Sequence, residues 1–113
     1  MKKENLIYII IIAIIILILG IFLFKNLNNK LDQEVMKCIA NKSIIYSSAT
    51  CSHCKTQKQY LGEYYSLFKV IDCFYEPEIC KEAQIPGTPT WIINGVEYPG
   101  LKTVKELKSL ANC

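Results

Sequence analysis

Apolar positions crowd into one end of the chain. From Leu6 to Phe24, nineteen consecutive residues carry no charge, and most are isoleucine or leucine. A helix of that length reaches about 28 Å, against roughly 30 Å for the hydrocarbon core of a bilayer. Each Ile, Leu or Phe favours insertion by about 0.3–0.6 kcal/mol, so the sum is several kcal/mol. Tyr8 near one end and Phe22 and Phe24 near the other suit the interfaces. Isoleucine is a modest helix former in water, but in lipid a helix is how a single segment satisfies its own backbone. A buried core helix would need cover on every side, which so small a domain cannot supply. A cleaved signal peptide is the closer rival. Against it, the apolar run is long, no small-residue cleavage site follows, and Phe24-Lys25-Asn26-Leu27 offers no cysteine for lipid attachment. The segment reads as an uncleaved signal anchor.

The polar stretch Asn26–Gln33 reads as a short stalk or as a helical extension of the span, and beyond it the periodicity changes element by element. Ser43-Ile44-Ile45-Tyr46 is a short apolar run of β-formers and predicts a buried strand. Ser47–Thr50 is a loop of small residues. Cys51–Phe68 predicts one helix, with Tyr60, Leu61, Tyr64, Leu67 and Phe68 recurring at three- and four-residue steps. Lys69–Asp72 predicts a second strand. Pro77 suits the first position of a short helix ending near Gln84. After the turn Pro86–Pro89, Thr90–Ile93 is a strand, Asn94-Gly95 a tight hairpin turn and Val96–Tyr98 its partner. Thr103 and Glu106 form a capping box for a last helix carrying Val104, Leu107, Leu110 and Ala111. The predicted order is β-α-β-α-β-β-α, an α/β domain preceded by one transmembrane helix.

Composition narrows the function. The chain has 113 residues, six of them cysteine and one histidine, and 51% are hydrophobic. That excludes a disordered or collagen-like chain and leaves room for one small domain. A net charge of +3, all of it from lysine, gives no argument for nucleic acid, and bidentate arginine contacts are unavailable. From Lys25 onward eleven Lys face nine Asp and Glu, so no electrostatic partner follows.

Cys51-Ser52-His53-Cys54 is the chemical centre. It follows a strand and loop and opens a helix, so the two thiols lie one turn apart. Unpaired N–H groups and the helix dipole at that position stabilise an anion. Such settings lower a cysteine pKa from about 8.5 to roughly 3.5–7.5. Cys51 is expected to be the exposed nucleophile and Cys54 the more buried resolving thiol. His53 between them would stabilise the Cys51 thiolate further, which makes the disulfide a stronger oxidant. A Cys-x-x-Cys is also half of many zinc sites. Here the other half would have to come from Cys38, Cys73, Cys80 or Cys113, none of which are spaced by two or three, so no metal is expected. A purely structural bond three residues long would staple almost nothing. Downstream, Thr88-Pro89 stands just before a strand. A cis proline there would bring the chain close to the sulfurs and leave the Thr88 backbone free to pair with an extended substrate; an ordinary trans proline is the default.

Strand, Cys-x-x-Cys, helix, then Thr-Pro before a hairpin and a final helix resembles the thioredoxin fold over Lys42 to Asn112. Within it, the chain most resembles the thioredoxin-like domains fused to, or working beside, bacterial and archaeal homologues of vitamin K epoxide reductase. The matching residues are Tyr46 ahead of Cys51–Cys54, the extra pair Cys73 and Cys80, the run Ile85–Gly95, and Tyr98-Pro99-Gly100. The resemblance implies Cys51 as nucleophile, Cys54 as resolving thiol, Pro89 as cis proline and a Cys73–Cys80 disulfide. The chain departs from it in having Thr50 where many relatives carry an aromatic. It also has Ile44-Ile45 where thioredoxins place a buried carboxylate, and no four-helix enzyme is fused to it.

Six cysteines allow fifteen pairings. Cys38 and Cys113 flank the domain; they are either paired or free, or bonded between molecules. Structural disulfides at Cys73–Cys80 and Cys38–Cys113 would need an oxidising compartment. Lys2 and Lys3 before the span and Lys25, Lys30 and Lys37 after it do not decide orientation; the cysteines favour a domain outside the cytoplasm. The expected organisation is a cytoplasmic tail at 1–5, a signal anchor at 6–24, a linker at 25–37 and a thioredoxin-like domain at 38–113. The expected activity is a membrane-anchored thiol–disulfide oxidoreductase that takes electrons from thiol-bearing proteins and passes them to a quinone-linked membrane oxidase, such as a vitamin K epoxide reductase homologue. It would use no bound cofactor and meet the lipid bilayer but no nucleic acid. The alternatives are a tethered reductase or isomerase on the same fold, and a non-enzymatic metal-binding module.

Overall fold

The computed structural model describes residues 2–113. Contacts divide the chain into two units, Met1–Asp32 and Gln33–Cys113. In the first, helix α1 (Lys3–Asn41) begins and carries the apolar run with its side chains exposed. This helix is long and apolar enough to cross a membrane. The polar stretch that reads as a linker is helical throughout, because α1 continues to Asn41.

In the second unit the order is β1 (Ser43–Ser47), α2 (Ser52–Leu61), a 3-10 segment (Gly62–Leu67), β2 (Lys69–Asp72), α3 (Pro77–Glu82), β3 (Thr90–Ile93), β4 (Val96–Pro99) and α4 (Val104–Leu110). The four strands form one sheet in the order β2-β1-β3-β4. β1 and β2 are parallel, joined through the helical crossover, whereas β3 pairs antiparallel with β1 and with β4. This is the thioredoxin-like arrangement, mixed α/β with the redox motif on the loop leaving the central strand β1. The Asn94-Gly95 turn closes the β3–β4 hairpin with both residues at positive φ, 50° and 79°, as a right-twisted two-residue turn requires.

One helix expected over Cys51–Phe68 is instead two segments. Gly62 sits at φ 54°, ψ −131°, a conformation essentially reserved for glycine, and its N–H closes on the Lys58 carbonyl. The helix ends there and the chain tightens into 3-10 turns. The break shifts the phase of the apolar stripe: Leu61 and Phe68 are buried, but Tyr60 and Leu67 face solvent. Similarly α3 stops at Glu82, with Gln84 at φ 56° just beyond it.

The core of this unit draws Met36 and Ile39 from the last turns of α1, Ile45 from β1, Leu61 and Phe68, Trp91 and Ile93 from β3, and Leu107 and Ala111 at α4. Trp91 is fully buried and meets Phe68 edge to face at 5.6 Å between ring centroids. Cys38 and Cys113 are bonded, with Cα atoms 6.1 Å apart, tying the end of α1 to the chain terminus after α4.

Candidate redox site

Thr50 and Cys51 end the loop that leaves β1, and Cys51 is the N-cap of α2, with extended backbone at φ −97°, ψ 120°. Its sulfur takes the place a serine or aspartate oxygen holds at most N-caps: the Cys54 N–H donates to Cys51 Sγ at 3.1 Å. Cys51 and Cys54 are joined as a disulfide, their Cα atoms 5.2 Å apart. Cys51 is half-buried, whereas Cys54 is 5% exposed. A thiolate arriving from solvent therefore meets Cys51 first. His53 is exposed on the first turn of α2.

The Thr88-Pro89 peptide is cis. The Thr88 carbonyl oxygen lies 3.3 Å from Cys51 Sγ, although the two residues are far apart in sequence. Pro89 is buried and Thr88 half-buried beside the disulfide. The loop is held from behind: Thr90 Oγ1 donates to the Gly87 carbonyl at 2.6 Å and Gly100 N–H donates to the Pro89 carbonyl at 2.8 Å.

Cys73 and Cys80 form the third disulfide, joining the end of β2 to α3. Cys73 N–H donates to the Ser47 carbonyl at 2.7 Å, which places this bond next to the loop that carries the redox motif. Among the described residues no group of three or more His, Cys, Asp or Glu side chains is gathered as a metal site.

Two features escape the sequence pattern. Gln57, 1% exposed, lies one turn beyond Cys54 and its amide is fully engaged. Its Oε1 accepts from Trp91 Nε1 at 3.0 Å and from Lys102 N at 2.9 Å, while its Nε2 donates to the Lys102 carbonyl at 2.9 Å. The second is a cleft of about 500 Å³ behind the disulfide, where Lys58, Tyr65 and Asp72 share walls with Cys51 and Cys54. Burial pushes the Tyr65 hydroxyl above its ordinary pKa, against a lowering contribution from its hydrogen bond to the Ser47 side chain, and the nearby Asp72 charge adds to the rise.

The chemistry open to this arrangement is dithiol–disulfide exchange: one accessible sulfur at a helix start, a buried partner within bonding reach, and a backbone edge beside them. No protein-family model matches the chain. Among solved structures it is similar to the alkylhydroperoxide reductase AhpF of Enterococcus faecalis, with 26% identity, TM-score 0.49, and coverage of 69% of this chain and 43% of that one. The chain thus spans less than half of that structure's length. It is also similar to the oxidised thioredoxin of Plasmodium falciparum, with 20% identity, TM-score 0.47, and coverage of 70% of this chain and 88% of that one. The class assignment, a thioredoxin-like fold carrying a Cys-x-x-Cys disulfide, rests on the strand order, the pairing directions and the site geometry.

Proposed function

We propose that the chain is a membrane-anchored thiol–disulfide oxidoreductase that passes disulfides to substrate proteins outside the cytoplasm. The observation that carries this reading is the Cys51–Cys54 pair itself, an accessible sulfur capping α2 at 3.1 Å from a backbone N–H and bonded to a partner that is 5% exposed. A substrate thiolate attacks Cys51 in line with the Cys54 sulfur. A mixed disulfide forms on Cys51, and Cys54 leaves as the thiolate. The second substrate thiolate then attacks the substrate sulfur of that mixed disulfide and expels Cys51. The N-cap position stabilises Cys51 as a leaving thiolate, so the substrate ends oxidised and the pair reduced. His53 adds to the stabilisation, and Thr88 and Pro89 present backbone to an extended substrate. The reduced pair passes its electrons to a membrane disulfide oxidase of the kind related to vitamin K epoxide reductase.

In this reading residues 1–5 are a cytoplasmic tail and 6–24 the anchor, and the helical stalk that follows runs into the redox domain, whose compact unit begins at Gln33. Anchoring raises the local concentration of the domain at a membrane partner without any further contact. Cys38–Cys113 and Cys73–Cys80 are structural bonds suited to an oxidising compartment. The test is the equilibrium potential of the Cys51–Cys54 pair against glutathione. A value near about −120 mV fits a disulfide donor, whereas one near about −270 mV fits a reductant. Failure of the pair to equilibrate at all removes the exchange reaction.

A further inference from the structure

Exchange at Cys51 leaves a charge to stabilise at Cys54. The sulfur that departs from the disulfide is 5% exposed, and a thiolate held away from water is costly unless it is stabilised or protonated. Of strand β1 only Ser47 lines the cleft beside the disulfide, and it carries no acidic group. The cleft supplies a hydrogen-bond donor instead. It opens onto Cys54 and is walled by Lys58, Tyr65 and Asp72, with room for several waters.

We propose that Tyr65, set between Lys58 and Asp72, stabilises the departing Cys54 thiolate by a hydrogen bond relayed through water in this cleft. The inference rests on the exchange reaction proposed above. Tyr65 is held in place at both ends: its hydroxyl is hydrogen-bonded to the Ser47 side chain, and Lys58 Nζ lies 5.1 Å from its ring centroid. The Tyr65 hydroxyl is protonated at neutral pH, as an ordinary phenol is and as its raised pKa keeps it, so it can donate a hydrogen bond toward a thiolate. The charged groups around the cleft are Lys55 and Lys58 from α2 and Asp72 from β2; His53 is the exposed neighbour of Cys54 in sequence. Lys58 stabilises a thiolate at Cys54 and Asp72 opposes it. Asp72 is itself fixed, its Oδ1 accepting from Ala49 N at 3.2 Å and Phe74 N at 2.9 Å.

The step balances. The substrate thiol loses its proton to solvent and its sulfur bonds to Cys51. The Cys51–Cys54 bond breaks with its electron pair on Cys54. The Cys54 thiolate accepts a hydrogen bond from a water that the Tyr65 hydroxyl holds, and any proton it later takes up comes from solvent at the cleft mouth. Tyr65 is a positioning residue, since it acts through water rather than on the reacting sulfurs directly.

The test is peptide-resolved alkylation of Cys54 by iodoacetamide across a pH series, on the full-length reduced protein in detergent with Cys51→Ser as background. Tyr65→Phe removes the donor, and Lys58→Met removes the cation from an exposed position where the fold is not at risk. Each is expected to slow Cys54 alkylation at neutral pH by about tenfold, the effect of one unit in the thiol pKa. Asp72→Asn keeps an acceptor for both backbone N–H groups and is expected to speed it. Identical profiles in all three variants, or an Asp72→Asn change in the same direction as Lys58→Met, would overturn this stabilisation. Wild-type protein that exchanges with glutathione while the variants titrate alike loses only this inference. Wild-type protein that never exchanges loses the proposed function instead.

Discussion

The Cys54 N–H points at the sulfur of Cys51 across 3.1 Å. In the reduced protein this places a backbone donor on the Cys51 thiolate, one of the helix-start N–H groups that has no intrahelical partner. The expected consequence is a Cys51 thiol that titrates well below the ordinary value of about 8.5, within the roughly 3.5–7.5 range of helix-capping cysteines. Cys54→Ser keeps the backbone N–H, so it should preserve the low value. The measurement is the pH dependence of Cys51 alkylation in that variant; an ordinary thiol profile would contradict the cap.

Gln57 joins α2 to the fully buried Trp91 and to the loop before α4. Replacing it with leucine keeps the volume but strips partners from the Trp91 indole N–H and from both the N–H and the carbonyl of Lys102. Leaving a buried donor unpaired costs about 1–3 kcal/mol. Gln57→Leu should therefore lose about 2–4 kcal/mol of unfolding free energy. Urea titration followed by Trp91 fluorescence checks it. Stability equal to wild type would mean that the indole finds another acceptor.

The same residue marks where sequence patterning stops. The elements were legible wherever local chemistry decides them: the Asn94-Gly95 turn, the Thr103–Glu106 box, Pro77 opening α3, and the β-former runs at Ile44-Ile45 and Trp91–Ile93. The redox pair was legible too, because a helix start needs no tertiary information. The inner face of α2 was not. Its buried stripe is Cys54, Gln57 and Leu61, and a polar glutamine does not register in an apolar count. Gly62 then breaks the phase, so Tyr60 and Leu67, apolar at helical spacing, face solvent. The cleft was hidden for a different reason. Lys58, Tyr65 and Asp72 come from three separate elements, and the β1–β2 pairing sets Asp72 beside Ser47 and so into the cleft.

Cys38 and Cys113 are bonded across a separation of 75 residues, the longest loop closed in this chain. On the chain-entropy relation a loop of that size stabilises by about 4.5 kcal/mol, whereas the short Cys73–Cys80 loop gives about 2.5 kcal/mol. The Cys38→Ser/Cys113→Ser double variant is thus expected to lose more stability than Cys73→Ser/Cys80→Ser, by about 2 kcal/mol. Denaturant midpoints for the two variants under non-reducing conditions decide the order. The reverse ranking would show that the short bond holds α3 and the redox loop together by more than loop entropy.

The Thr103–Glu106 box ties acid stability to one exposed carboxylate. Thr103 N donates to Glu106 Oε2 at 2.7 Å and Thr103 Oγ1 donates to the same oxygen at 3.0 Å. The backbone bond first, then the hydroxyl and the Lys102 charge, hold the Glu106 carboxyl below the usual carboxylate range. A lowered folded-state value means that the unfolded chain binds the proton more readily, so this contribution is complete above the ordinary glutamate pKa. It fades as pH falls through the folded value. Glu106→Gln retains an acceptor but not the charge. The stability gap between wild type and Glu106→Gln should be constant near neutral pH and should close as pH drops through and below the ordinary carboxylate range. Denaturant midpoints measured across that acid range check the sign. A gap that stayed fixed throughout would assign the cap to hydrogen bonding alone, and a gap that widened toward acid would contradict it.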